Sequence, residues 1–175
     1  MTADVRTLAG EVVLGLTAHG LTVAVAESLT GGALTSALVD VPGASVVVRG
    51  GVVAYATELK HELLGVDGAL LAELGPVSPQ VAIMMAAGVR ERCSADVGVA
   101  TTGVAGPDGQ DGHSPGEVYV AVVTGADAEV RGLRLTGDRS RVRAQSVAAA
   151  LTLLIETVGL GVLDMTPDRR GVESE

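Results

Sequence analysis

The sequence predicts a single layered α/β/α domain with a mixed, mainly parallel sheet. Short apolar runs of strand length alternate with amphipathic segments of helical period, the pattern of a sheet covered by helices. The 47% of residues that are hydrophobic include no Phe or Trp and only two Tyr; small aliphatic side chains suit closely layered, buried strands. A length of 175 residues suits one core. The last two strands read as an antiparallel hairpin, which makes the sheet mixed.

Element by element, the predicted order is α-β-α-β-α-α-β-β-β-α. Val5, Leu8, Ala9, Val12, Val13 and Leu16 recur at helical spacing, and Gly20 ends that helix. "TVAVA" (22–26) reads as a buried strand and "GGALTSALVD" (31–40) as the next helix, stopped before Pro42-Gly43. "SVVVRGGVVAYA" (45–56) is strongly β, with a bulge expected at Gly50-Gly51. Thr57 is expected to cap a helix through Leu64, and Asp67 a short one after it. Ser78 at the cap and Pro79 at the first helical position start a helix to about Cys93. "ADVGVATTG" (95–103) is a buried strand that runs into the longest loop, 104–116. Strands at 117–125 and 128–136 form the hairpin, and Asp138 caps a final helix toward Gly159. Residues 1–160 are thus expected to form one domain, followed by a polar, disordered tail at 161–175.

Charge and composition narrow the function. Twelve basic against twenty-one acidic residues give a net charge of −9, which disfavours nucleic acid and anionic membranes as partners. Few aromatics leave no stacking platform for single strands. The one cysteine, Cys93, excludes an internal disulfide, and no Cys/His cluster has zinc spacing. Residues 1–20 lack the uninterrupted apolar core of a secretory signal, and no run reaches the roughly 20 apolar residues of a membrane span. The expectation is a soluble cytoplasmic protein, and the net charge does not exclude a phosphate-bearing small ligand, because a local site can oppose the global field.

The chemistry concentrates at "AVAESLTGGALTSAL" (24–38), where a buried strand ends in Glu27 and Ser28 and crosses Gly31 and Gly32 into a helix. Amides at such a turn suit a phosphate or a developing oxyanion. Two readings stay open on spacing alone. Ser28 is a nucleophile, or Thr30 is a plain cap and Glu27 bonds backbone amides. No histidine is placed to activate a serine; the base candidate is Lys60, the only lysine, five residues beyond Tyr55. Burial can lower a lysine's pKa into the range of a base, which arginine does not permit. The alternative is a solvent-facing helix lysine. "TTGVAGPDG" (101–109) repeats the strand-hydroxyl-glycine pattern and suits either a ligand or an ordinary turn. Arg139 and Arg143, at i and i+4 of the last helix, are placed to hold a phosphate or to pair with surface carboxylates.

Together, "AESLTGG", "GGVVAYATELKHELLGV", "GPVSPQVAIMMAAGV", "TTGVAGPDG…PGEVYVAV" and "GDRSRVRAQ" resemble the CinA C-terminal domain family over roughly residues 5–160. Its stand-alone members include nicotinamide mononucleotide deamidases. The resemblance implies hydrolysis of that pyridine nucleotide to nicotinate mononucleotide and ammonia, without cofactor or metal, by a homodimer. It makes Ser28 the nucleophile, Lys60 its activator and Tyr55 an aid to proton transfer. From the helix-terminus argument, amides near Thr30, Gly31 and Gly32 would hold the oxyanion. Thr102, Gly103, Gly106 and Asp108 of the second loop, with Arg139, would hold the nucleotide. The chain departs from the family pattern at Ala56, Pro79 and Met84, where the family commonly has serine, glutamate and an acidic residue. A non-catalytic nucleotide-binding or regulatory protein that retains the pocket is the alternative.

Overall fold

The computed structural model of the protein describes residues 4–160; the expected tail lies outside them. Helices α1 (Val5–His19), α2 (Ala33–Val39), α3 (Thr57–Leu64), α4 (Gly68–Leu74), α5 (Pro79–Arg92) and α6 (Arg139–Val158) surround one sheet. Its strands are β1 (Val23–Glu27), β2 (Val48–Val53), β3 (Val97–Gly103), β4 (Glu117–Val123) and β5 (Ala128–Arg134), in the order β2-β1-β3-β4-β5. β1 pairs in parallel with β2 and β3, while β4 runs antiparallel to both β3 and β5. Four strands therefore share one direction, and only β4 opposes them. Among the described residues, no helix is long and apolar enough to cross a membrane.

The buried strands alternate in size rather than polarity. Val23, Val25, Val97, Val99, Val118, Val120 and Val122 face the core shared with α1, α2 and α6. Ala24, Ala26, Ala100 and Ala121 face the second core, built with α5 and Leu64 of α3. Small residues let α5 lie close to the sheet and to α3: a Cβ at Gly98 of β3 would overlap the Ala86 carbonyl, and one at Gly88 the Leu64 carbonyl at the end of α3. Truncating a central packer such as Leu16 or Met85, both 0% exposed, to alanine carries a cost of about 2–5 kcal/mol.

The caps follow the sequence in most places. Ser78 Oγ accepts from the Val81 amide, with Pro79 at the first helical position. Asp67 and Asp138 cap α4 and α6, and Gly20 and Gly159 end α1 and α6 in the left-handed conformation. Three expectations are corrected. Thr57 is the first residue of α3, not its cap; Ala56 occupies the cap position and makes no side-chain bond. A 3-10 turn over Ala44–Val46 delays β2 to Val48, because Val46 and Val47 are spent turning the chain into the sheet. The bulge falls one residue early: the register steps from Val23↔Val48 to Ala24↔Gly50 and leaves Arg49 unpaired. Gly51 has a different task, since a Cβ there would overlap Thr35 Oγ1.

Candidate active site

β1 and β3 are adjacent parallel strands whose carboxyl ends open on the same edge, where ligands of α/β sheets are commonly bound. Ser28 follows β1 directly, and its N–H donates to the Thr101 carbonyl of β3 at 3.0 Å. Thr30 and Thr101 hydroxyls meet beneath it at 2.7 Å. These bonds tie the turn at 28–32 to the centre of the sheet.

Glu27 is fully buried and holds that turn from inside. One oxygen accepts from the amides of Gly32 and Leu34 at 3.0 Å each. The other accepts from the Thr35 amide at 2.8 Å and hydroxyl at 2.6 Å. The carboxylate thus satisfies the orphan donors at the start of α2, with the favourable charge sign for a helix N-terminus. Glu27 therefore bonds backbone amides as one reading had it, whereas Thr30 is not the cap: Gly32 holds that position and the Thr30 hydroxyl pairs with Thr101.

Lys60 stands on the other side of Ser28. It lies on the first turn of α3, where side chains lean toward the helix N-terminus, and is 1% exposed. Its Nζ donates to the Ala54 carbonyl at 2.9 Å, Ser28 Oγ at 3.2 Å and the Tyr55 carbonyl at 3.5 Å. The surface-lysine reading is thereby excluded. Loss of hydration lowers the ammonium pKa from 10.5 to about 8, a fall that the charge of Glu58 partly opposes. At pH 7 about a tenth of the molecules carry the free amine. A neutral Nζ can still donate to Ala54 and Tyr55 while its lone pair accepts the Ser28 hydroxyl proton.

Ser28 and Lys60 open onto a cavity of about 310 Å3, at the lower end of the range of small-molecule sites. Thr102, Gly103, Gly106 and Asp108 border it, as do Tyr55 and Arg139. Thr102 uses its hydroxyl on the Pro76 carbonyl at 2.6 Å, so its part in the wall is to fix the loop before α5. Arg139 donates to the Gly106 carbonyl at 3.0 Å and to the Tyr55 phenol at 2.9 Å. The Tyr55 side chain is thus on the rim, 58% exposed, and its hydroxyl is paired with Arg139 rather than with Ser28 or Lys60. Arg143 turns instead to the Leu29 and Thr30 carbonyls; neither arginine pairs with a carboxylate among the described residues. Among those residues, no group of three or more His, Cys, Asp or Glu side chains is placed to hold a metal ion.

The oxyanion expectation for Thr30, Gly31 and Gly32 is corrected. The Gly32 amide is taken by Glu27 and the Gly31 amide by the Ser28 carbonyl, and none of the three residues borders the cavity. Sequence reasoning offered Glu27 as a partner of backbone amides, but did not carry that through to the Gly32 amide, which Glu27 occupies. It also missed the Ala54 carbonyl that anchors Lys60, a contact no residue type could have signalled. Ala56, Pro79 and Met84 lie outside the cavity wall: Ala56 precedes α3, Pro79 opens α5 and Met84 packs against the second core.

The family model described as the CinA C-terminal domain matches residues 5–158. A CinA-like protein of Frankia casuarinae is 51% identical over 144 residues, which are 82% of this chain and 33% of that protein. A CinA-like protein of Mycolicibacterium paratuberculosis is 48% identical over 141 residues, 77% of this chain and 32% of that one. The chain therefore spans about a third of the length of these relatives. Solved structures match over nearly their whole length. The competence/damage inducible protein CihA from Agrobacterium tumefaciens superposes with a TM-score of 0.85 at 36% identity, covering 88% of this chain and 95% of that one. A CinA superfamily protein from Klebsiella pneumoniae gives a TM-score of 0.86 at 33% identity, with 89% and 98% covered.

Proposed function

The chain belongs to the CinA C-terminal domain family, and from that premise we propose that it is a serine–lysine amidase. The substrate in this reading is nicotinamide mononucleotide, hydrolysed in the cytoplasm to nicotinate mononucleotide and ammonia for pyridine nucleotide salvage. The observation that carries it is a lysine, 1% exposed, with its amine 3.2 Å from a serine hydroxyl at the floor of a small-molecule cavity. A buried lysine paired only with a hydroxyl and carbonyls has little structural value, whereas a lowered pKa suits a base.

The steps follow from these positions. Neutral Lys60 takes the Ser28 proton as Oγ forms a bond to the carboxamide carbon. Leu29, Ala105 and Gly106 line the cavity, and their amides have no backbone acceptor among the described residues; in this reading those amides take over the expected oxyanion role. The Lys60 ammonium then returns its proton to the departing nitrogen as the C–N bond breaks, releasing ammonia and leaving an ester on Ser28. Water, deprotonated by the same amine, attacks the ester carbon; the acid is released and Ser28 regains its proton. The Tyr55 phenol accepts from Arg139 and keeps its own hydrogen to donate to substrate. Arg139 and the 102–109 loop receive the ribose phosphate.

Ammonia release from nicotinamide mononucleotide by the purified protein, with Ser28→Ala run in parallel, tests the proposal. Turnover that vanishes in the variant supports it. No turnover in folded protein overturns it in favour of a binding role. Equal turnover of the substrate lacking its phosphate would assign a different small amide.

A further inference from the structure

The guanidinium of Arg143 is spent wholly on the backbone of the nucleophile turn. Its Nε donates to the Leu29 carbonyl at 3.1 Å and its Nη2 to the Thr30 carbonyl at 2.6 Å. These are the two residues that follow Ser28. A Cβ at Gly31 would stand 3.6 Å from Nη2, so the guanidinium lies directly over the turn. Resting on the amidase reading above, we propose that Arg143 is a positioning residue that fixes Ser28 against Lys60.

The turn is held between opposite charges. Glu27 draws in the amides of Gly32, Leu34 and Thr35 from below, while Arg143 draws out the carbonyls of Leu29 and Thr30. Because each peptide group is planar, fixing a carbonyl also fixes the amide that follows it. The path of residues 28–32 is then determined from both ends, and with it the 3.2 Å contact from Ser28 Oγ to Lys60. Charge-assisted donors bond more strongly than neutral ones, and two adjacent carbonyls need two donors in a rigid fork, which arginine has and lysine lacks. Arg139, one turn earlier on the same helix, binds Gly106 and Tyr55 on the facing walls. The start of α6 therefore ties the nucleophile turn to the rest of the cavity.

The test compares Arg143→Met and Arg143→Lys with wild type and Ser28→Ala. Three quantities are read: covalent labelling of Ser28 by a fluorophosphonate, steady-state ammonia release, and amide exchange at Gly31 and Gly32. The expected result for Arg143→Met is labelling and kcat slowed about 10- to 100-fold, the scale of a small misplacement of a reacting group. KM stays within about threefold and Arg143→Lys recovers only part of the loss. Labelling and kcat within twofold of wild type, or a loss carried entirely by KM, overturns the proposal. If wild type neither labels nor turns over, the amidase reading has failed, and exchange still judges Arg143. Faster exchange confined to Gly31 and Gly32 supports its hold on the turn, and unchanged exchange refutes it. Should Arg143→Met fail to fold, Arg143→Lys is read on the same three measurements.

Discussion

Glu27 and Lys60 are the two most deeply buried ionisable side chains of the described residues, at 0% and 1% exposure, and they flank Ser28 from opposite sides. Their satisfaction is opposite. Glu27 accepts four hydrogen bonds, all from the start of α2, so its charge is spent on holding structure. Among the described residues Lys60 donates to two carbonyls and a hydroxyl and to no carboxylate. Burial then outweighs the raising effect of the Glu58 charge and brings the lysine pKa to about 8. A saturated buried charge locks a turn, and an undersatisfied one beside a hydroxyl is available for proton transfer.

Lys60→Met should give the largest effect: loss of the general base lowers kcat by about 10²- to 10⁴-fold, read by ammonia release. The same variant should be more stable than wild type at neutral pH. In wild type the folded-state pKa lies below the ordinary 10.5, so the unfolded chain binds more protons between pH 8 and 10.5. Wild-type stability therefore rises with pH across that window, by on the order of 3 kcal/mol. Denaturant unfolding at pH 7 and pH 10.5 should show the advantage of Lys60→Met at the lower pH and its disappearance at the higher. A variant less stable than wild type at pH 7 would break the contrast with Glu27.

Glu27→Ala should do the reverse and destabilise the fold by about 3 kcal/mol or more, since buried donors lose their acceptor; thermal melting checks this. The acid limb of the kcat/KM profile should fall near pH 8, with the rate rising as Lys60 loses its proton. A limb near the ordinary lysine range would mean that water reaches the amine. Thr35→Val removes one of four donors to Glu27 and should cost about 1 kcal/mol with the pH profile unmoved. A shift of that profile would show that the two flanks are coupled.

How far the site was legible depends on what each contact consists of. Ser28, Lys60 and Tyr55 were singled out because their residue types carry chemistry and their stretches sit at strand ends; the structure brings the first two within 3.2 Å and pairs the third with Arg139. Asp138, Ser78 and Asp67 were found because capping is a local transaction over two or three residues. The amides of Gly31 and Gly32 were offered as oxyanion donors without asking which acceptor already held them. Arg143 was seen as a ligand for phosphate or carboxylate, and its actual partners are carbonyls more than a hundred residues away in the chain. The 3-10 turn before β2 was hidden among valines whose β preference is overridden by the entry of the chain into the sheet.

The sequence by itself determined the alternation of helices and strands, most of the capped helix starts, the antiparallel final hairpin and which side chains are proposed as reactive. Those depend on residue type, period and neighbours within a few positions. Only the tertiary structure decided that Lys60 is dry, that its amine faces Ser28 rather than solvent, and that the Gly32 amide belongs to Glu27. Solvation and hydrogen-bond partnership are properties of a place assembled from β1, β2, β3, α3 and α6. A lysine's pKa follows the water it has lost, and that loss exists only once those elements have packed around it.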